Sequence, residues 1–377
     1  MRNSTSISNF IILACGVTVA ALLALPENSA TSAQSSLSTA AQQPPQTVQT
    51  AEQVYKNIQV FKGFPASQLD STMAFISGSL GVKCNHCHVN PFDKDEKPAK
   101  QTARRMIRMV FDLNKGTFAG QSGVSCYTCH RGSVHPIPVP AVGNSLWLPA
   151  PTPPKEAPLP TVDQVLDKYV QALGGVQALQ KVTSRVAKGS RIGADGVLVP
   201  EDVYHKAPNK LLIVTSYPAE VFSTGFNGTA GWGQSSKSGV RELPGQVLAQ
   251  FKTEAEFYKE IKFKELYSKL TVVGKTSIGE SEAYVIEATP FEGSPEKLYF
   301  DTRTGLLVRR YLESPTILGM SPLQTDYEDY REVDGVNQPF LIHWSIPGRR
   351  WGRKIAEIKQ NVAVDDAQFN PPSPPAK

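Results

Sequence analysis

The spacing of apolar residues changes several times along the chain, and each change marks a segment of different character. An apolar run over residues 10–25 gives way, over residues 27–53, to Ser, Thr, Ala and Gln that cannot bury a core. Residues 67–79 and 98–114 have helical spacing, with Pro98 suited to a first turn and Gly116 to a stop. The second helix is expected to bury two adjoining stripes, formed by Ala103, Ile107 and Val110 and by Met106, Val110 and Leu113.

Beyond residue 160 the pattern becomes that of strands. Nine prolines within residues 136–160 first predict an extended linker. Residues 162–179 then predict a helical entry, and residues 246–264 a helix that interrupts the strands. One strand places four apolar side chains on a single face: Phe340, Ile342, Trp344 and Ile346. Turn signals recur at Asp195-Gly196, Asn227-Gly228, Thr304-Gly305 and Asp334-Gly335. We predict a strongly curved antiparallel sheet or partial barrel of about 200 residues.

These changes predict a multidomain chain, in which a small, mostly α-helical domain precedes an antiparallel β half-barrel of the α+β class. The predicted segments are a signal peptide (1–33), a disordered tether (34–53), the helical domain (54–140), a Pro-rich linker (141–160), the β domain (161–370) and a tail (371–377).

The N-terminal segment has the pattern of an export signal. Arg2 precedes the apolar run, Pro26 follows it, and small residues stand at Ala30 and Ala33. The run is short for a membrane span. A periplasmic location is therefore expected, with two alternatives open: an uncleaved anchor, or lipidation of Cys15.

Charge and cysteine content narrow the function further. A net charge of +5 and a pI near 8.8, without a long block of one sign, do not indicate a nucleic-acid partner. Four of the five cysteines occur in two copies of one motif. Only Cys15 remains, so no disulfide framework is predicted.

The two copies are Cys84-Asn85-His86-Cys87-His88 and Cys126-Tyr127-Thr128-Cys129-His130. In a C-x-x-C-H sequence two thiols can add to the vinyl groups of one haem while the adjacent imidazole reaches the iron. We therefore predict two covalently bound c-type haems, with the four cysteines as anchors and His88 and His130 as proximal ligands. A zinc site or two disulfides are the alternatives, and neither explains the two histidines.

Few residues of the helical domain could be the distal ligands: Met73, Met106, Met109, His86 and His135. Thioether ligation favours ferrous iron and raises the reduction potential. Met73 precedes the first motif on one predicted helix, while Met106 and Met109 precede the second motif on the other. Core packing is the alternative role of these methionines, but the repeated order of helix, loop and motif favours ligation.

Three stretches together resemble the cytochrome c subunit of the bacterial photosynthetic reaction centre: residues 79–88, residues 103–109 with the sequence Ala-Arg-Arg-Met-Ile-Arg-Met, and residues 123–132. Members carry four haems in two pairs, and residues 54–140 resemble one pair. The resemblance implies that Met73 and Met106 are distal ligands and that Met109 is a core residue. Residues 115–123 lack the His that in the family serves the other pair, as expected of a two-haem protein. Four arginines are candidates for propionate contacts or a solvated face: Arg104, Arg105, Arg108 and Arg131.

The C-terminal region resembles the half-barrel domain of outer-membrane lipoprotein carriers. The resemblance rests on residues 165–169, 207–210, 227–232, 298–301 and 304–307. It implies a concave sheet that holds a lipid or hydrophobic ligand, or else a docking module. His205 and His343 are isolated, and no catalytic constellation is predicted.

Three functions follow from these patterns. The first is a periplasmic dihaem electron carrier, not an enzyme, whose partners are redox proteins of the cell envelope. The second is a lipid- or lipoprotein-binding protein with a redox-sensing haem domain. The third is a dihaem peroxidase-like enzyme, which needs one open distal site.

Overall fold

The computed structural model describes residues 49–136, 158–237, 239–243, 245–291 and 293–372. The predicted signal peptide, most of the tether and linker, and Cys15 lie outside the described residues. The first described part, residues 49–136, is helical, as predicted. Its helices are Ala51–Val54 (α1), Leu69–Leu80 (α2), Pro98–Gly116 (α3) and Cys126–His130 (α4). Pro98 starts α3, where its missing N–H costs nothing, and Gly81 ends α2 in the left-handed conformation.

The helical part has its own apolar core. The buried members are Ala51, Phe61, Leu69, Phe75, Ile107 and Val110. On α3 the buried face consists of Lys100, Arg104, Ile107 and Val110. The predicted second stripe is wrong, because Met106 and Leu113 are 38% and 40% exposed. The helix has two apolar faces, and the described residues cover only one of them.

The second part is a 13-stranded antiparallel sheet. Its strands are Ser184–Ile192 (β1), Leu198–Lys206 (β2), Lys210–Tyr217 (β3), Glu220–Phe226 (β4), Gly231–Ser235 (β5), Gly239–Glu242 (β6), Tyr267–Ile278 (β7), Ser281–Pro290 (β8), Glu296–Asp301 (β9), Leu307–Thr316 (β10), Gly319–Val333 (β11), Val336–Ile346 (β12) and Arg349–Gln360 (β13). Their order is β6-β5-β4-β3-β2-β1-β13-β12-β11-β10-β9-β8-β7. All four predicted turns connect neighbouring strands, which confirms the predicted hairpins and the α+β fold class.

Among the described residues, four α-helices accompany the sheet: Val162–Ala172 (α5), Gly175–Lys181 (α6), Gly245–Ala255 (α7) and Phe263–Leu266 (α8). The single helix expected over residues 246–264 is two helices. After α7 the amide of Phe257 donates to the Pro208 carbonyl at 2.9 Å, which diverts the backbone from the helical hydrogen-bond pattern. Tyr169 of α5 packs on Phe300 in the sheet core, with ring centroids 5.2 Å apart.

The helical part and the sheet belong to one compact unit, Val48–Lys377. Two hairpin tips of the sheet lie against α2. Leu318, between β10 and β11, is 3% exposed and joins the apolar core of the helical part. Pro347, between β12 and β13, lies directly against Gly78. The sequence, read as two regions separated by prolines, did not predict this contact.

Replacing Gly78 by Ala should lower the free energy of unfolding by about 1–3 kcal/mol, which is typical of overpacking. A Cβ at this position would lie 2.2 Å from Pro347 Cβ and 2.9 Å from its Cα, so backbone has to move. The change can be measured by urea denaturation. Gly116→Ala is the matched control, because a Cβ there meets nothing within 4 Å. Equal stability of the two variants would contradict the contact.

Candidate haem attachment site

The first motif forms a short 3-10 turn, Cys84–His86, followed by Cys87 and His88. The imidazole Nδ1 of His88 lies 3.2 Å from the Phe92 carbonyl oxygen, and its ring packs on the Phe92 ring at 5.0 Å. An Nδ1–H bonded to a carbonyl leaves Nε2 as the nitrogen that can bind a metal. Burial lowers the pKa of His88, which favours the neutral ligand form.

An ionic cluster in which Lys100 and Arg104 are buried and Asp95 is exposed holds the loop that follows His88. Lys100 donates to the carbonyls of Phe92 and Lys94 at 2.9 and 2.6 Å and pairs with Asp95 at 3.0 Å. Arg104 also bonds to Asp95, at 2.7 Å. The hydrogen bonds from Arg104 and then Lys100 hold the pKa of the Asp95 carboxyl well below its usual range. The cluster therefore fixes the carbonyl that orients His88.

Arg104 consequently corrects the expectation for the four arginines. It is 6% exposed and bonds to the protein itself, so it neither forms a solvated face nor remains available to a propionate. Arg105, Arg108 and Arg131 are exposed. A shallow pocket of about 460 Å³ lies on this exposed face of α3, and Arg105, Arg108 and Met109 are among the residues that line it.

The second motif is α4 itself. Ser125 is the N-cap residue of α4, and its amide donates a hydrogen bond to Thr128 Oγ1 at 3.0 Å. His130 Nδ1 lies 2.9 Å from the Ser133 carbonyl oxygen, which repeats the arrangement at His88. Asn114 of α3 binds both the amide and the carbonyl of Val124 at 2.9 Å. Its side chain thus fixes the entry to the motif, a role the sequence did not reveal.

The two motifs lie close together. The amide of Gly132, just after His130, donates to the Ser79 carbonyl at 2.9 Å, and Gly81 packs against the Gly132 carbonyl. The end of α2 that leads into the first motif is therefore bonded to the segment that leaves the second. Two groups attached at these motifs would be neighbours within one domain.

The surface around the motifs exposes several apolar side chains. The side chains that stand exposed here are Met106, Met109, Leu113, Phe118 and Tyr127. Scattered apolar residues are ordinary on a surface, but a continuous set on one helix and its flanks indicates a covered face. Met109 is 43% exposed, so the described residues do not bury it, and the core role implied for it by the resemblance stays a prediction. Met73 of α2 is partly buried against the helical core, and Met106 stands on the exposed face.

The four thiols of the motifs are not paired with one another. Cys84, Cys87, Cys126 and Cys129 are free. Over the described residues, no group of three or more His, Cys, Asp or Glu side chains has the arrangement of a metal site. Burial raises the pKa of Cys87 and of Cys126, as expected of thiols placed against apolar surface. His86 and His135 are exposed.

The sheet encloses a separate cavity of about 410 Å³. Its apolar wall includes Leu211, Ile213, Leu312, Leu323, Ile342, Trp344, Ile355 and Ile358. Charged side chains stand among them: Arg185, Glu254, Glu260, Glu296, Arg310 and Arg353. Val203 of β2 and Thr325 of β11 line the same space, so the sheet is concave. The cavity is thus lined by both apolar and charged side chains.

Arg310 bonds to two of the carboxylates that line the cavity. It bonds to Glu254, and to Glu296 at 2.8 and 3.1 Å. Glu296 also accepts from the Tyr267 hydroxyl at 2.5 Å. Burial raises the pKa of Tyr267 well above its usual range. Arg185 lies over the Phe257 ring at 5.4 Å, while its Nε is buried with no hydrogen-bond partner among the described residues.

His205, in the same wall, should make folding sensitive to acid. Burial lowers the pKa of its imidazole from 6.5 to about 3, and its Nε2 bonds to the Ala255 carbonyl at 2.9 Å. Between these values the unfolded chain binds the proton, so stability falls as pH falls through 6.5. We expect about 2 kcal/mol less stability at pH 5 than at pH 7 from this group. His205→Gln, which keeps a donor, should flatten the pH curve from urea denaturation; a curve parallel to wild type would contradict the assignment.

The helical part is similar in sequence to c-type cytochromes. The family model of the photosynthetic reaction centre cytochrome C subunit matches residues 16–179. The cytochrome c subunit of the reaction centre of Thermochromatium tepidum is 37% identical over 93 residues, which are 23% of this chain and 22% of the relative. Cytochrome c-554 of Chloroflexus aurantiacus is 38% identical over 84 residues, 20% of each chain. The resemblance stated from the motifs is confirmed, and the chain spans about a fifth of the length of these relatives.

Solved structures resemble the sheet. A LolA superfamily protein from Nitrosomonas europaea covers 56% of this chain and 98% of its own, with a TM-score of 0.40 and 16% identity. A putative outer membrane lipoprotein-sorting protein domain from Vibrio parahaemolyticus covers 54% and 97%, with a TM-score of 0.39 and 11% identity. Within the described ranges, no helix has the length and apolar character needed to cross a membrane.

Proposed function

We propose that the chain is a periplasmic dihaem c-type cytochrome that carries electrons between redox proteins of the cell envelope. The observation that carries this proposal is the repeated arrangement of two free thiols and an imidazole whose Nδ1 is bonded to a backbone carbonyl. The proposed limits are 54–140 for the haem domain and 161–370 for the β domain. Bound haem supplies the one-electron couple.

In this proposal each chain residue has a definite task. Cys84 and Cys87, and likewise Cys126 and Cys129, hold one haem each through thioether bonds. His88 and His130 present Nε2 to the iron, because carbonyl bonds hold their other ring nitrogens. Carbonyl-bonded imidazoles are stronger electron donors than free ones, so Phe92 and Ser133 support ligation through their backbone oxygens. Met73 and Met106 are proposed as the distal ligands.

The experiment that tests the cofactor is the intact mass of the mature protein made with haem-maturation machinery, together with an alkaline pyridine haem spectrum. We expect a mass increase of two haems and a c-type spectrum. A protein without covalent haem would refute the electron-transfer proposal. Carbon monoxide separates the carrier from a peroxidase: ready binding to a reduced iron would reveal an open distal site and favour the enzyme.

Met106 and Met109 share the exposed face of α3, so their assignment needs a direct test. A thioether bound to ferric haem gives a charge-transfer band in the near infrared. Met106→Ala should reduce this band, and Met109→Ala should leave it unchanged. The reverse result would move the ligand to Met109, which lies one helical turn further on.

The cavity of the sheet supports a second function, the binding of a lipid or other hydrophobic ligand. The specific observation is the enclosure of about 410 Å³ between apolar walls and the Arg310 network. A fluorescent fatty-acid probe should bind, and Ala187→Trp, which adds bulk at a buried position lining the cavity, should weaken that binding. Binding unchanged by this substitution would place the probe elsewhere and count against the function.

A further inference from the structure

The helix α2 carries Met73, and most of its other side chains on one face are inaccessible to solvent. Leu69, Thr72, Phe75 and Ser79 are buried, and Thr72 is fully so. Met73, the next residue, packs against the same apolar core. Whatever covers Thr72 and Phe75 therefore decides how far α2 can turn about its axis or slide along it.

Part of that cover comes from the sheet, about 245 residues further along the chain. The amide of Ile317 donates to Thr72 Oγ1 at 3.2 Å, while the same hydroxyl donates to the Gln68 carbonyl at 2.7 Å. Leu318, beside Ile317, is 3% exposed within the core that contains Phe75. The Thr72 hydroxyl therefore links α2 to the hairpin between β10 and β11 by hydrogen bonds.

The hairpin tip is itself rigid. Thr316 Oγ1 donates to the Gly319 carbonyl at 2.7 Å and accepts from the Leu318 amide at 3.2 Å. These bonds close the turn from within. A Cβ built on Gly319 would lie 3.7 Å from Ser125 Cβ and 3.9 Å from Phe75, so the tip also reaches the residue that caps the second motif. The tip can act as a fixed support because it does not depend on α2 for its own shape.

The next hairpin contacts α2 at other points. Pro347 lies directly against Gly78, and Arg349 pairs with Asp70 at 3.5 Å. The two tips therefore contact the helix near its first turn, at Thr72, and near its last turn. Contacts separated along the axis resist both rotation and tilt, which a single contact cannot do.

We propose that these two hairpin tips are positioning elements of the first haem: they hold α2 so that Met73 reaches the iron. This inference rests on the proposed role of Met73 as a distal ligand. A thioether favours ferrous iron. If α2 is free to turn, the bond from the Met73 sulfur weakens, ferric iron is favoured and the potential of that haem falls. The sheet would then set a redox property of a domain that is far from it in sequence.

The test compares the two midpoint potentials and the near-infrared thioether band of the full-length holoprotein with those of variants. Thr72→Val removes the hydroxyl with little change of shape, and Leu318→Ala removes the buried contact. Each should lower one of the two potentials, with about a tenfold smaller ratio of ferrous to ferric haem at fixed potential, equivalent to 59 mV for a one-electron couple. The other potential should stay unchanged.

Two controls separate positioning from general damage. Thr72→Ser keeps the hydroxyl and should restore wild-type values. Val240→Ala alters an exposed side chain of β6, the edge strand that lies six strand positions from β13 in the sheet, and should leave both potentials as they are. Thermal unfolding of each variant shows whether it is folded. If Leu318→Ala fails to fold, the midpoint potentials of Thr72→Val and Thr72→Ser still test the inference.

Met73→Ala tests separately whether Met73 is a distal ligand and whether the hairpin tips position it. If Met73→Ala lowers one potential but Thr72→Val and Leu318→Ala change neither, the hairpins do not position the ligand and the inference is overturned, while the proposed ligation stands. If Met73→Ala changes neither potential nor band, the ligand assignment fails and the inference fails with it. A drop of both potentials in Leu318→Ala would indicate general loosening and would also overturn the inference.

Discussion

Replacing Cys84 and Cys87 together by Ala should remove one haem and leave the other attached. Each motif has its own local support, since the first loop is held by the Lys100–Asp95–Arg104 cluster and the second by Ser125 and Asn114. We expect the intact mass to fall by one haem and the pyridine haem spectrum to halve. The complementary pair, Cys126→Ala with Cys129→Ala, should give the same mass and retain the other haem.

The control for this experiment is His86→Ala. His86 lies inside the first motif but is exposed, so its loss should leave both haems in place. Loss of both haems from either double variant would show that the sites assemble as one unit. An unchanged mass would show that these cysteines are not the anchors.

Replacing Arg310 by Met should lower the free energy of unfolding by about 3–5 kcal/mol, as is typical when one partner of a buried ion pair is removed. The carboxylate of Glu296, whose side chain is 4% exposed, would lose two charged hydrogen bonds and keep only the Tyr267 hydroxyl. The cost arises from a buried charge without a counter-charge. Urea denaturation followed by tryptophan fluorescence measures the change.

Two further variants serve as controls for the stability change in Arg310→Met. Arg310→Met combined with Glu296→Gln removes the uncompensated charge and should recover part of the loss. Lys359→Ala breaks an exposed pair with Glu357 and should change stability by no more than about 0.5 kcal/mol. If the single Arg310 variant were as stable as the Lys359 variant, the network would not be a stabilising part of the fold.

Several features of the chain could be predicted because they depend on residues close together in sequence. The two C-x-x-C-H motifs are complete within five positions each. Pro98 and Gly116 mark the ends of α3, and the four Gly-containing turns connect the strands they were expected to connect. Such signals act through backbone conformation and adjacent side chains, so they do not require knowledge of the rest of the fold.

Other features depend on contacts between distant segments, and the sequence predicted them wrongly or did not predict them. Arg104, within a run of arginines on α3, is buried because Asp95 folds back onto it. The resemblance implied a core role for Met109, yet no part of the described chain covers it. Residues 246–264 have helical character, but the bond from Phe257 to Pro208 breaks the helix in two.

The sequence by itself contained the two complete C-x-x-C-H motifs and predicted the class of each region and several element boundaries. Only the tertiary structure decided that Leu318 completes the core of the helical part, that Thr72 bonds to Ile317, and that His205 and Arg310 line one cavity. The physical reason is that helix ends, turns and covalent motifs are local, whereas burial and hydrogen-bond partners are set by contacts between segments far apart in the chain. An amphipathic pattern predicts that one face of a helix is buried. Only the tertiary structure shows which residues bury that face.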